Sequence, residues 1–178
     1  MTLRAVVFDW GGVIQRTESW EPRLALDREL SLPTGSVERA VFESQVWHAA
    51  STGRCDAEQA WRSIAASLGY PIERLDEFVQ RFFAGDCIDP ALVKLVRWLR
   101  ERGLRVGLLS NAPPGRSAAQ DAAARWGMEG LFDAQVFSYQ LGVLKPDARA
   151  YMAILQALDV SPAEALFVDD SPANVAGA

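Results

Sequence analysis

The chain has 178 residues, 49% of them hydrophobic, which is enough for one core with an inserted subdomain, and it contains no apolar stretch long enough to span a bilayer. A formal charge of −5 argues against a broad nucleic-acid surface, which needs clustered Lys and Arg. Two cysteines, a single histidine and no leader pattern at the start point to reduced thiols in the cytoplasm rather than to disulfides or zinc, and to a small molecule as partner.

The first element is the apolar run Arg4-Ala5-Val6-Val7-Phe8, which ends at Asp9 and breaks into Trp10-Gly11-Gly12-Val13-Ile14. Such a run suits the centre of a parallel sheet covered on both faces. Open α/β sheets bind ligands outside the carboxyl ends of their strands, so Asp9 stands where a nucleophile belongs. From Glu21 to Ala84 the pattern predicts no strand, only amphipathic helical stretches near 22–30, 36–47, 56–68 and 72–83. Ser36 and Asp56 are candidate N-caps, and Pro33, Gly53 and Gly69-Tyr70-Pro71 mark boundaries.

After Asp89-Pro90 the pattern predicts a helix over 91–102, a strand over 105–110, a helix at about 117–126, a short strand over 134–138, a helix over 147–158 and a strand over 165–169. That alternation belongs to a doubly wound parallel sheet. The expected fold is therefore α/β, with a Rossmann-like parallel-sheet core from 1–16 and 88–178 and an inserted four-helix unit from 17–87. Such a sheet would ordinarily continue past Ala178, so a longer or fused protein is expected. Without a heptad pattern or a segregated apolar stripe, both a monomer and a homodimer fit.

Each later strand ends in polar residues. Ser110-Asn111 closes one and Asp169-Asp170 closes the last, while Lys145-Pro146 precedes a helix. Parallel strands would bring these residues to the same sheet edge as Asp9. Carboxylates, a hydroxyl, an amide and one ammonium together make a site for a divalent cation and a phosphoryl group.

The segments Phe8-Asp9-Trp10-Gly11-Gly12-Val13-Ile14, Leu109-Ser110-Asn111, Gly142-Val143-Leu144-Lys145-Pro146-Asp147-Ala148-Arg149-Ala150-Tyr151 and Phe167-Val168-Asp169-Asp170-Ser171-Pro172-Ala173-Asn174-Val175 occur in this order. Taken together they resemble the haloacid dehalogenase-like hydrolase superfamily over nearly the whole chain. The nearest branch is the one holding sugar-phosphate phosphatases and the N-terminal phosphatase domain of soluble epoxide hydrolases.

The resemblance implies that Asp9 attacks phosphorus and forms an aspartyl phosphate. It implies Mg²⁺ held by the Asp9 and Asp170 carboxylates and the Gly11 carbonyl, with Asp169 and Asn174 positioning Asp170 and the metal's waters. Ser110, Asn111 and Lys145 would hold the phosphoryl oxygens, and Lys145 would keep the carboxylates ionised. The helical insertion corresponds to a cap, with Trp10, Trp20 and His48 as candidate pocket residues and Arg54 as a possible contact for a distal anion. The remaining tryptophans fit helix packing.

One position departs from the pattern. Phosphatases of this superfamily usually carry a second Asp two residues after the nucleophile, and here that residue is Gly11. Losing such an acid costs about 10² to 10⁴ in rate, less for good leaving groups such as an anomeric sugar phosphate. His48 and Glu58 are available on the helices, though each fits an ordinary helix residue better. The expected activity is a Mg²⁺-dependent phosphatase acting on a small phosphorylated metabolite, most naturally a sugar phosphate. Two alternatives stand beside it: a metal-free haloacid-type dehalogenase, whose relatives usually carry Tyr at the Gly11 position, and an impaired domain that binds a phospho-ligand or serves as a fused accessory module.

Overall fold

The computed structural model describes residues 2–114 and 130–178; the helix expected at about 117–126 lies outside them. Four strands, β1 (Ala5–Phe8), β4 (Arg105–Ser110), β5 (Ala134–Phe137) and β6 (Ala165–Val168), form one parallel sheet in the order β5-β4-β1-β6. All four residues of β1 are buried, as a central strand covered on both faces requires. Their alternation divides them between two cores. Val6 and Phe8 pack with Val96 and Leu99 of α6 (Pro90–Glu101), while Ala5 and Val7 pack with Ala150, Ile154 and Leu158 of α8 (Ala148–Leu158). At Gly107 in β4 a Cβ would lie 2.9 Å from Leu158 and 3.1 Å from Ile154, so the missing side chain is what lets α8 approach the sheet.

Between β1 and α6 lie five α-helices: α1 (Glu21–Glu29), α2 (Ser36–Phe42), α3 (Gln45–Ser51), α4 (Ala57–Ser67) and α5 (Leu75–Phe82), the last entered through a 3-10 turn at Ile72–Arg74. They enclose a separate core that includes Leu26, Val37, Val41, Trp61, Ile64, Phe78 and Phe82. The stretch expected as one helix over 36–47 is two. Ser44 breaks it with an extended backbone, and its hydroxyl accepts the Trp47 N–H at 3.2 Å to cap α3. Ser36 does not cap α2. Gly35 takes that place at φ +80, and the Asp27 carboxylate on α1 accepts the N–H groups of Gly35 and Val37 at 2.6 and 2.9 Å. Asp56 caps α4 as expected, in a reciprocal box with Gln59.

The two chain crossings between sheet and helices pair as a ribbon the sequence did not reveal, β2 (Gln15–Thr17) antiparallel to β3 (Asp86–Ile88). Its polar residues interlock. The Asp86 carboxylate accepts Gln15 Nε2 at 2.9 Å, Thr17 Oγ1 at 2.9 Å and the Arg23 guanidinium at 2.8 and 3.0 Å. Arg23 is itself buried, donates to Glu38 and to the Phe82 carbonyl, and lies over the Phe82 ring. Among the described residues no helix is long and apolar enough to cross a membrane.

Candidate active site

The carboxyl end of the sheet gathers the residues expected there. Asp9 follows β1 directly, with its N–H donated to Val168 of β6 at 2.9 Å, so the sheet itself fixes the start of the loop. Asp9 Oδ1 accepts the Trp10 N–H at 2.7 Å and lies 2.8 Å from Lys145 Nζ. Lys145 has a side chain with no solvent exposure, and its ammonium also donates to the Leu109 carbonyl at 3.0 Å and to Asp169 Oδ2 at 2.6 Å. A buried lysine with two carboxylate partners and a carbonyl meets the requirement that buried charge be paired and hydrogen-bonded.

The three carboxylates differ sharply in their surroundings. Burial pushes Asp9 up from its ordinary 3.8 to about 6, and Lys145 only partly offsets this. At Asp169 burial acts in the same direction but is outweighed by Lys145, the Ser171 N–H and the Asn174 amide, so its carboxyl is held below the usual range. The Asn174 Nδ2 donates to both Asp169 oxygens, at 2.9 and 3.1 Å, and the Ser171 N–H to Oδ1 at 2.9 Å. Asp169 is thus saturated by protein donors. Asp170 is exposed and, among the described residues, its carboxylate has no hydrogen-bond or ion-pair partner. It rests on the glycine turn, where a Cβ at Gly12 would lie 2.1 Å from Asp170 Oδ2, and Gly12 has φ +78. Only glycine serves both needs.

Carboxylate oxygens of Asp9, Asp169 and Asp170 all lie within 4.8 Å of one another. Among the described residues, three such groups against one ammonium leave an excess of negative charge in a half-buried place, and an all-oxygen donor set suits a hard divalent cation such as Mg²⁺. These residues fit the metal that the sequence reading implied.

Ser110 ends β4 almost fully buried, and its hydroxyl has no partner among the described residues. The Asn111 side chain, expected to hold phosphate with Ser110 and Lys145, has protein partners of its own. Its Oδ1 accepts the Lys145 N–H at 2.9 Å and its Nδ2 donates to the Lys145 carbonyl at 3.2 Å, so the side chain clamps the backbone that carries the lysine.

The pocket candidates separate. Trp10 lies in the sheet core, 4% exposed, with Nε1 donated to Gln15 Oε1 at 2.8 Å. Trp20 precedes α1 and is half exposed, and His48 on α3 pairs its Nδ1 with Arg54 at 3.0 Å in a shallow depression shared with Glu43 and Gln45. Glu58 is on α4, paired with Arg62. Two residues of the site region were not singled out from sequence. Gly12 was hidden behind Gly11. Ser138 opens the short helix α7 (Ser138–Leu141), and its signal was the one that marked Ser110: a hydroxyl closing a predicted strand.

Comparison with known proteins extends the match to the whole chain. The family described as haloacid dehalogenase-like hydrolase matches residues 3–178. The chain is 33% identical to a phosphatase of Mycobacterium tuberculosis, over 100% of this chain and 83% of that protein. It is 30% identical to a phosphoglycolate phosphatase of Rhodospirillum rubrum, over 98% and 75%, and 27% identical to a sesquiterpene phosphatase of Aspergillus oryzae, over 99% and 85%. Among solved structures, a HAD-like family hydrolase from Porphyromonas gingivalis superposes with a TM-score of 0.76 at 24% identity, covering 99% of this chain and 86% of that one. A HAD family enzyme from Bacteroides thetaiotaomicron, solved with magnesium and inorganic phosphate, gives 0.76 at 18% identity, over 98% and 88%. At those identities the two structures support the fold.

Proposed function

The chain belongs to the haloacid dehalogenase-like hydrolases, and we propose that it is a Mg²⁺-dependent phosphatase that hydrolyses a small phosphorylated metabolite, a sugar phosphate first among the candidates, through an aspartyl-phosphate intermediate. The observation that carries this reading is the buried Lys145 ammonium lying between Asp9 and Asp169, with the Asp170 carboxylate, unpartnered among the described residues, alongside. The phosphatase relatives, matched over 98% or more of this chain, support the reaction class.

In this mechanism Asp9 Oδ1 is held by Lys145 and the Trp10 N–H, and Oδ2 has no protein partner among the described residues. The fixed carboxylate presents one oxygen to phosphorus; the O–P bond forms as the ester bond breaks. With only glycine at position 11, the leaving oxygen takes its proton from water. A second water then attacks phosphorus, releasing phosphate and regenerating Asp9. Lys145 supplies positive charge to the transferring group without leaving its place, and the Ser110 hydroxyl is free to donate to a phosphoryl oxygen. Mg²⁺, when bound by Asp9, Asp170 and the Gly11 carbonyl, would offset the repulsion between an anionic nucleophile and an anionic substrate. The helices α1–α5 act as a cap that excludes bulk water and selects the leaving group.

The test is hydrolysis of p-nitrophenyl phosphate with and without Mg²⁺, with Asp9→Asn as the blank. Turnover that requires Mg²⁺ and disappears in Asp9→Asn supports the proposal, and screening of sugar phosphates follows. Mg²⁺-independent release of halide from a 2-haloacid would replace it with the dehalogenase reading. Phosphate binding without turnover would replace it with a binding module.

A further inference from the structure

The helical unit touches the sheet unit at a place remote in sequence from the β2–β3 ribbon. Ser138, 1% exposed at the start of α7, donates its hydroxyl to the Ser51 carbonyl at the end of α3, 2.6 Å away. The same oxygen accepts the Ala112 N–H at 3.0 Å. Ala112 directly follows Ser110-Asn111, and the Asn111 amide clamps the Lys145 main chain. Hydrogen bonds and the Asn111–Ala112 chain link therefore connect α3, through Ser138 and the loop after β4, to the main chain of the lysine whose ammonium lies beside Asp9.

Two further details make this contact reversible in design. The hydroxyl has a second acceptor within reach, the Ala112 carbonyl at 3.3 Å, so withdrawal of Ser51 need not leave a buried donor unsatisfied. Beside it, the turn after α3 is seated tightly: Gly53 has φ +73, and a Cβ there would lie 2.5 Å from the Tyr139 carbonyl oxygen. The fit between this turn and α7 is thus tight, while the hydroxyl would keep an acceptor if the contact opened.

We propose that Ser138 is a positioning residue that latches the α3 end of the cap to the loop bearing Ser110 and Asn111, and that it releases the cap by turning its one hydroxyl hydrogen from the Ser51 carbonyl to the Ala112 carbonyl. The inference rests on the reading of α1–α5 as a cap over a phosphatase site, but its first test requires no turnover. Substrate binding favours the latched state because closure and the placement of the loop after β4 are coupled through this hydroxyl. Loss of the latch therefore falls on substrate capture more than on the chemical step.

The experiment is amide hydrogen exchange on the full chain, wild type against Ser138→Ala, with steady-state kinetics on p-nitrophenyl phosphate beside it. Exchange of Ala112 and of the 51–54 turn should accelerate roughly fivefold, as expected for loss of one net hydrogen bond, while α4 and α5 keep their protection. KM should rise by a similar factor with kcat changed less, and Ser138→Thr, which keeps the hydroxyl, should recover both. Gly53→Ala, which obstructs the same contact without touching the hydroxyl, should accelerate the 51–54 turn while Ala112 keeps its acceptor and its protection, and it decides the matter if Ser138→Ala does not fold. Unchanged exchange of the 51–54 turn in folded Ser138→Ala, or acceleration spread evenly over the whole chain, would overturn the latch. Accelerated exchange at these segments in a protein without phosphatase activity would keep the latch and remove the phosphatase reading.

Discussion

Lys145 Nζ lies 2.8 Å from Asp9 Oδ1, yet the Asp9 carboxyl is still pushed up to about 6, because burial outweighs the attraction of the lysine. The folded state therefore binds this proton more tightly than the unfolded chain, where the ordinary value is 3.8. Stability contributed by the protonated form is complete below the unfolded value and is lost as pH rises through the folded one. At neutral pH the ionised Asp9 carboxylate costs about 3 kcal/mol. Asp9→Asn should melt at higher temperature than the wild type at pH 7.5 without metal, and the difference should shrink toward pH 4. Mg²⁺ should raise the wild-type melting temperature and leave the mutant nearly unchanged. A mutant less stable at every pH would show that the carboxylate is structurally favourable and not strained.

Lys145→Met removes the one ammonium beside two buried carboxylates. An uncompensated buried charge costs about 3–5 kcal/mol, so chemical denaturation at pH 7.5 should show a loss of that order together with loss of phosphatase activity. Protonation relieves the strain, and the sign follows: with Lys145 absent both carboxyls rise, so the deficit should narrow as pH falls toward 5. A deficit independent of pH would mean that lost packing, and not stranded charge, accounts for it.

How far the sequence carried depends on whether a residue's role is local. Asp9, Ser110 and Asp169 each close an apolar strand, and a parallel sheet brings such ends to one edge whatever the details. The role of Asn111 was not local: its amide partners are the N–H and C=O of Lys145, 34 residues away. The β2–β3 ribbon pairs three residues with three across a separation of about seventy, too short for a period-2 pattern to register. The break at Ser44 was masked because Val41 before it and Trp47 after it pack into the same helical core, so the apolar rhythm runs on through the interruption.

Gly12 supports the candidate metal site without offering it a side chain. Gly12→Ala would place a Cβ 2.1 Å from Asp170 Oδ2 at a backbone φ of +78. Asp170 would have to withdraw from Asp9, so Mg²⁺ affinity measured by calorimetry should fall more than tenfold, with a stability loss of about 1–2 kcal/mol from the left-handed backbone. Asp170→Asn should reproduce the loss of Mg²⁺ affinity without the loss of stability. Normal Mg²⁺ binding by Gly12→Ala would take Asp170 out of the ligand set.

Gly11 is the opposite kind of glycine. A Cβ built there meets nothing within 4 Å, and its φ lies outside the left-handed range that would penalise other residues. Gly11→Asp should therefore fold with near-wild-type stability and place a carboxyl group two residues beyond Asp9, in open space. A general acid there is worth about 10² or more for a poor leaving group such as a primary sugar alcohol, and little for p-nitrophenolate, which departs without a proton. The readout is the ratio of kcat for a primary sugar phosphate to kcat for p-nitrophenyl phosphate. A ratio that rises about a hundredfold in Gly11→Asp would show that the natural protein leaves protonation to water and so favours substrates whose leaving groups need no acid. An unchanged ratio, with Mg²⁺ binding intact, would mean that another residue already delivers the proton, and would direct the search to the helical unit α1–α5.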